Sequence, residues 1–185
     1  MVEVYLGLGS NIDAERSLEF ALTALEASFG AVHSSRVYPN PAVGVAGDDF
    51  LNLVARVATR WPPARIQHTL RDIERAAGRS RREPKWGPRV LDIDLLLYGT
   101  CVDPLLHVPR GDILRYAFAL GPLAELAPGL VHPVSGITLA DAWRGHPDAR
   151  QPWTGEGHAV RQSVALGDRP IVQPSPMVSA EEPLR

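Results

Sequence analysis

The run Val90-Leu91-Asp92-Ile93-Asp94-Leu95-Leu96-Leu97-Tyr98, set between Gly87-Pro88 and Gly99, limits the possible folds more than any other stretch. Its length, its apolar content and the turn residues on either side predict a β-strand. Side chains alternate between the faces of a strand. Asp92 and Asp94 therefore share one face, while Leu91, Ile93, Leu95 and Leu97 share the other, which must be core. Two carboxylates about 6–7 Å apart are costly in so apolar a strand unless a cation or water compensates them. Oxygen ligands of this kind suit Mg²⁺, which keeps several waters and shares one or two carboxylates with substrate phosphates. Taken alone, the motif leaves a second reading open, a solvated sheet face with two ordinary acids.

Directly before this strand come Arg79, Arg81, Arg82, Lys85 and Arg89, relieved only by Glu83. From Arg65 to Arg89 there are eight basic residues and three acidic ones, in a chain of formal net charge −2. The overall charge argues against general nucleic-acid binding, whereas the local excess marks a place for something anionic. Arginines grip phosphate through paired hydrogen bonds, and a metal on the two aspartates would share the same phosphates, so the pattern points to a polyphosphate nucleotide. A solvated basic loop is the alternative. An RNA-binding α+β domain is disfavoured because no base-stacking aromatics are interleaved with the arginines.

The rest of the chain supplies a frame for that site. Val2 to Leu8 alternates as a half-buried strand and ends in Gly7-x-Gly9-Ser10-Asn11, which reads as a tight strand-to-helix turn or, less simply, a phosphate loop without its lysine. Leu18, Leu22, Leu25 and Phe29 predict a helix stopped by Gly30. A second strand is expected over Ala31 to Tyr38, then a loop from Pro39 to Gly47, then a third strand from Asp49 to Thr59. In that third strand Phe50 and Asn52 share a face, an arrangement that serves either a flat heterocycle or an ordinary core edge. Pro63 opens a helix through Ile66, Leu70, Ile73 and Ala77, with Arg71 and Glu74 spaced for an ion pair. A helical region from Arg110 to Ala127 is expected to break at Pro122.

Strands and helices in this order predict one α+β domain, a mainly antiparallel sheet with helices packed on its faces. It is expected to span residues 1–146, followed by a Pro-rich, poorly ordered tail over 147–185. The single Cys101 permits no internal disulfide, and no signal peptide or membrane-length apolar run is present, so a cytoplasmic protein is expected.

Trp86-Gly87-Pro88-Arg89 followed by Leu91-Asp92-Ile93-Asp94 resembles the signature of the 6-hydroxymethyl-7,8-dihydropterin pyrophosphokinase family of folate biosynthesis. The resemblance extends over roughly Val4 to Leu139 and implies a ferredoxin-like fold and transfer of pyrophosphate from ATP to a dihydropterin. It implies two Mg²⁺ ions on Asp92 and Asp94, with Arg79 and Arg89 among the catalytic residues. Arg71, Glu74, Arg81, Arg82, Trp86 and Arg110 then fall on the ATP side. Asn40, Pro41, Val43, Phe50, Asn52, Trp86 and Phe118 fall in the pterin pocket, with Phe50 and Phe118 sandwiching the ring. The implied partners are small-molecule substrates, with no nucleic acid or membrane, on a monomer or weak homo-oligomer. The chain departs from the family pattern at Arg110, where histidine is usual, and at Tyr116, where arginine is usual, with Arg115 adjacent. Asn40 stands for threonine, and the loop from Gly44 to Phe50 is short. These departures admit a divergent paralogue that binds pterin or nucleotide with weak or no turnover, or that acts on a modified pterin.

Overall fold

The structure, a computed structural model, describes residues 1–40, 49–79 and 88–150. Five strands and four helices follow one another: β1 Val2–Ser10, α1 Ala14–Phe29, β2 His33–Ser34, β3 Tyr38–Asn40, β4 Phe50–Thr59, α2 Pro63–Ala76, β5 Asp92–Tyr98, α3 Ala117–Leu126 and α4 Leu139–Gly145. A 3-10 turn at Pro147–Arg150 closes the described chain. The sheet order is β2-β4-β1-β5, with β3 also on β4, and every pairing is antiparallel. None of the described helices is long and apolar enough to cross a membrane.

Both faces of the sheet are covered. Leu18, Ala21 and Leu25 of α1 and Ile66, Leu70 and Ile73 of α2 pack on Val4, Leu6, Leu8, Leu53, Ala55, Val57, Ile93 and Leu95. Leu120, Leu123 and Ala124 of α3, with Leu139 of α4, pack on Tyr5, Val54, Leu96 and Leu97. Each fully buried leucine stabilises the fold by roughly 1.5–3 kcal/mol. The apolar periods of α1 and α2 are those the sequence predicts, and Gly30 and Gly78 end the two helices with φ of 85° and 98°.

Three expectations are corrected. Leu97 does not face the same core as Ile93 and Leu95. The β1–β5 register moves from Leu6↔Leu95 to Tyr5↔Leu97, so Leu96 is an extra residue and Leu97 turns to the α3 side. The second strand is two short pieces, because the Ser35 hydroxyl accepts the Val54 N–H at 3.0 Å and interrupts the ladder. Ser34 faces Ala55 and Tyr38 faces Asn52, which leaves one more residue on this side than on β4. Pro122 does not break α3 but lies buried inside it. Its local cost of about 3 kcal/mol is offset by the apolar packing of that helix on the sheet. The sequence reading also passed over α4, whose Thr138 hydroxyl accepts the Asp141 N–H at 3.1 Å, a capping pattern visible in Thr138-x-x-Asp141.

Candidate active site

Antiparallel register brings the predicted residues together. Across β4, β1 and β5 one row reads Asn52, Gly9, Asp92, and the next reads Val54, Gly7, Asp94. Opposed residues share a face, so Asn52 and both carboxylates lie on the side of the sheet that α3 covers, the face of Val54. Between them runs bare backbone. A Cβ at Gly9 would stand 2.9 Å from Asn52 Oδ1, so any larger residue in the middle of the row would have to push the Asn52 amide aside.

The carboxylates are ringed by guanidiniums. Arg79 Nη1 lies 2.7 Å and Arg89 Nη1 3.2 Å from Asp92 Oδ1, and Arg110 Nη1 lies 2.9 Å from Asp94 Oδ1. Arg110 also approaches Asp112, with Nε 3.6 Å from Oδ2. Burial, and then the neighbouring Asp92, push Asp94 up to about 6, while Arg110 and Arg79 pull it back. Glu74 is buried on α2, where it accepts the Ile93 N–H at 2.8 Å and pairs with Arg79. Burial raises its pKa, opposed by the Ile93 N–H and by Arg79. The Arg71–Glu74 ion pair that the spacing permits is not formed; Arg71 is exposed on α2 and Glu74 turns to β5 instead.

Gly9-Ser10-Asn11 is the tight turn of the simpler reading, and it also fixes the arginine end of the site. Asn11 Oδ1 accepts the Arg89 N–H at 2.7 Å, and the Asn11 N–H donates to the Arg89 carbonyl at 3.0 Å. Sequence spacing alone does not reveal that pairing, since 78 residues separate the two.

On the other side of the row, Asn52 is 8% exposed, and its Nδ2 is the one buried side-chain nitrogen or oxygen among the described residues without a hydrogen-bond partner. An unmade buried donor costs about 1–3 kcal/mol, which a ligand acceptor would recover. Asn40 lies opposite Phe50 in the β3–β4 pair. Phe118 stands in the first turn of α3, which packs on β4. Its ring stacks on Tyr116 at 5.2 Å and 16°, and the Arg115 guanidinium lies 5.1 Å from the Tyr116 ring centroid. Pro41, Val43, Arg81, Arg82 and Trp86 lie outside the described residues.

Tyr38, opposite Asn52, donates its hydroxyl to Glu125 of α3. Burial, then the Glu125 hydrogen bond and charge, push it up to about 12, above the ordinary 10. The stabilisation this gives is fully present below pH 10 and lost as pH rises from 10 to 12. Urea midpoints are therefore expected to fall over that range, and to fall less steeply in Tyr38→Phe.

No group of three or more His, Cys, Asp or Glu side chains forms a metal cluster among the described residues. Two carboxylates suffice for Mg²⁺, which draws its remaining ligands from water and phosphate, so the residues present fit that ion. Two acids among three guanidiniums, with an unpartnered amide across the row, suit one class of ligand, a phosphorylated molecule held through a divalent cation.

Comparison with known proteins narrows the class. The family model described as 7,8-dihydro-6-hydroxymethylpterin-pyrophosphokinase (HPPK) matches residues 5–128. A 2-amino-4-hydroxy-6-hydroxymethyldihydropteridine pyrophosphokinase of Methylorubrum extorquens is 42% identical over 148 residues, covering 77% of this chain and 92% of its own length. The protein of that name from Aquifex aeolicus is 37% identical over 138 residues, covering 72% and 86%. Among solved structures, the wild-type HPPK-DHPS of Plasmodium falciparum superposes with a TM-score of 0.61 at 13% identity. It covers 77% of this chain and 44% of its own, a likeness of fold. The chain belongs to the 7,8-dihydro-6-hydroxymethylpterin-pyrophosphokinase family.

Proposed function

We propose that this chain transfers the pyrophosphoryl group of ATP to the hydroxymethyl group of 6-hydroxymethyl-7,8-dihydropterin, leaving AMP and the pterin diphosphate. The observation that supports the assignment of sites is the Asn52, Gly9, Asp92 row, in which an unpartnered amide and a carboxylate share one face with no side chain between. In this reading the pterin hydroxyl oxygen attacks the β-phosphorus as the bond from that phosphorus to the AMP oxygen breaks, in line. Such a transfer needs positioning and charge neutralisation more than covalent chemistry.

Asp92 and Asp94 would hold Mg²⁺, two ions in this reading, whose chemistry is to neutralise phosphate charge and to lower the pKa of an adjacent hydroxyl. Arg79, Arg89 and Arg110 exchange carboxylate oxygens for phosphate oxygens as the triphosphate enters, joined by Arg81 and Arg82. Arg71 and Glu74 stand on the nucleotide side, where Glu74 keeps Arg79 in place. Phe50 and Phe118 enclose the pterin with Asn40, Pro41, Val43 and Trp86, and Asn52 Nδ2 donates to the ring. The relatives carry the enzyme's name, which gives no support to a binding-only paralogue; in this reading Arg110, on Asp94, and Tyr116, on Phe118, vary the site without changing its reaction.

The test is to incubate the protein with ATP, Mg²⁺ and the pterin and follow AMP and the pterin diphosphate by mass spectrometry. Folded protein that leaves both substrates intact sinks the assignment. Asn52→Ala is expected to raise KM for the pterin about tenfold, the effect of about 1.4 kcal/mol, with KM for ATP changed less than twofold. Parallel rises in both constants would remove Asn52 from the pterin side.

A further inference from the structure

At the sheet edge opposite β5, a cluster of side chains joins two elements that bear the pterin residues. Glu125 of α3 accepts three hydrogen bonds from the segment that enters β3. Its Oε2 takes the Tyr38 hydroxyl, and its Oε1 takes the Arg36 backbone N–H at 3.3 Å and Arg36 Nε at 3.2 Å. Arg36 Nη2 in turn donates to the Tyr38 hydroxyl at 3.2 Å, closing the triangle. The ends of this clasp matter more than its middle. Tyr38 is the register partner of Asn52, and two residues on Asn40 is the partner of Phe50. On the helix, Glu125 comes seven residues after Phe118, two turns along the same stripe and about 10.5 Å away.

We infer that Glu125 is a positioning residue for the pterin pocket, setting the gap between Phe118 and the Phe50–Asn52 wall by clasping Arg36 and Tyr38 to α3. The inference rests on the function proposed above. Glu125 bonds the chain on the β3 side and shares a helix with the ring on the other, so it fixes the two walls relative to each other without entering the pocket. The Tyr38 phenol is rigid and loses few rotamers in the clasp, whereas ordering the rotamer-rich Glu125 is offset by the three hydrogen bonds it accepts. Asp92 and Asp94 have their own partners at the other edge, so the clasp acts on one substrate and not on both.

Steady-state kinetics and pterin calorimetry on Glu125→Ala, Glu125→Gln and Tyr38→Phe test it. The first and last are expected to raise KM and Kd for the pterin about tenfold. Glu125→Gln keeps one acceptor oxygen and is expected to recover most of that loss. KM for ATP, and kcat at saturating pterin, stay within twofold in all three. An unchanged pterin constant with only a lowered Tm overturns the inference, as do pterin and ATP constants that rise together. A wild type that binds pterin without making AMP sinks the proposed reaction alone, because the calorimetric comparison of variants still decides the clasp. A wild type that binds no pterin overturns both.

Discussion

Replacing Asp94 by asparagine is expected to lower kcat by about three orders of magnitude while making the metal-free protein harder to unfold at neutral pH. A carboxylate that holds a metal against transferring phosphates supplies several kcal/mol of charge stabilisation, and about 4 kcal/mol corresponds to a thousandfold in rate. The stability change has the opposite sign. Burial beside Asp92 raises Asp94 to about 6 from an ordinary 3.8, so the folded state holds a proton that the unfolded chain has released. The contribution of Asp94 to stability is therefore greatest below about pH 4 and declines as pH rises toward 6, staying lower beyond. Asparagine has no charge to desolvate and removes that decline. The gain is reduced by solvent, since 34% of the Asp94 side chain is exposed. Urea midpoints in chelator at pH 4 and pH 7, with single-turnover rates alongside, check both halves. A variant that keeps wild-type turnover takes Asp94 out of the metal site.

Glu74→Ala carries the second large effect, and it is on the fold first. β5 is an edge strand, and Glu74 reaches from α2 to cap its outward Ile93 N–H at 2.8 Å while pairing with Arg79. Removing one partner of a buried pair costs about 3–5 kcal/mol. Arg79 still has Asp92 at 2.7 Å, which places the loss near the lower end, about 3 kcal/mol. For a domain of this size that is a fall in Tm of about 6–12 °C. Glu74→Gln keeps an acceptor for the Ile93 N–H and is expected to lose less than half as much. Thermal scans of the two variants decide it: equal losses would mean that the charge on Arg79, and not the strand cap, is what Glu74 supplies.

Much of this was legible in the chain itself, for reasons particular residues make plain. The helical periods of Leu18 to Phe29 and Ile66 to Ala77 and the parity of Phe50 with Asn52 follow from local geometry. So does the shared face of Asp92 and Asp94. What escaped depends on contacts far apart in sequence or on one residue's insertion. Leu97 has the same apolar character whichever face it takes, and only the pairing of β5 with β1 reveals the bulge at Leu96. Pro122 reads as a breaker until the packing of α3 is known. Glu125 looks like an ordinary surface acid, since its partners lie 87 and 89 residues earlier. Arg110 is legible as a departure from the family pattern, but its place on Asp94 comes from the three-dimensional site. The cap at Thr138 is local, a pattern that Thr138-x-x-Asp141 spells out.

The bare lane at Gly9 has one more consequence. Asn52 and Asp92 sit on strands that flank β1, and neighbouring strands are about 4.8 Å apart. Their backbones are thus held about 10 Å apart by two ladders of hydrogen bonds, a gauge that cannot stretch without tearing the sheet. With the pterin on Asn52 and the phosphates on Asp92, as proposed above, the separation of the two reactants would be limited by peptide geometry as well as by side chains. An acceptor would then be selected by its reach: one bond longer or shorter between ring and hydroxyl, and its oxygen would overshoot or fall short of the phosphorus.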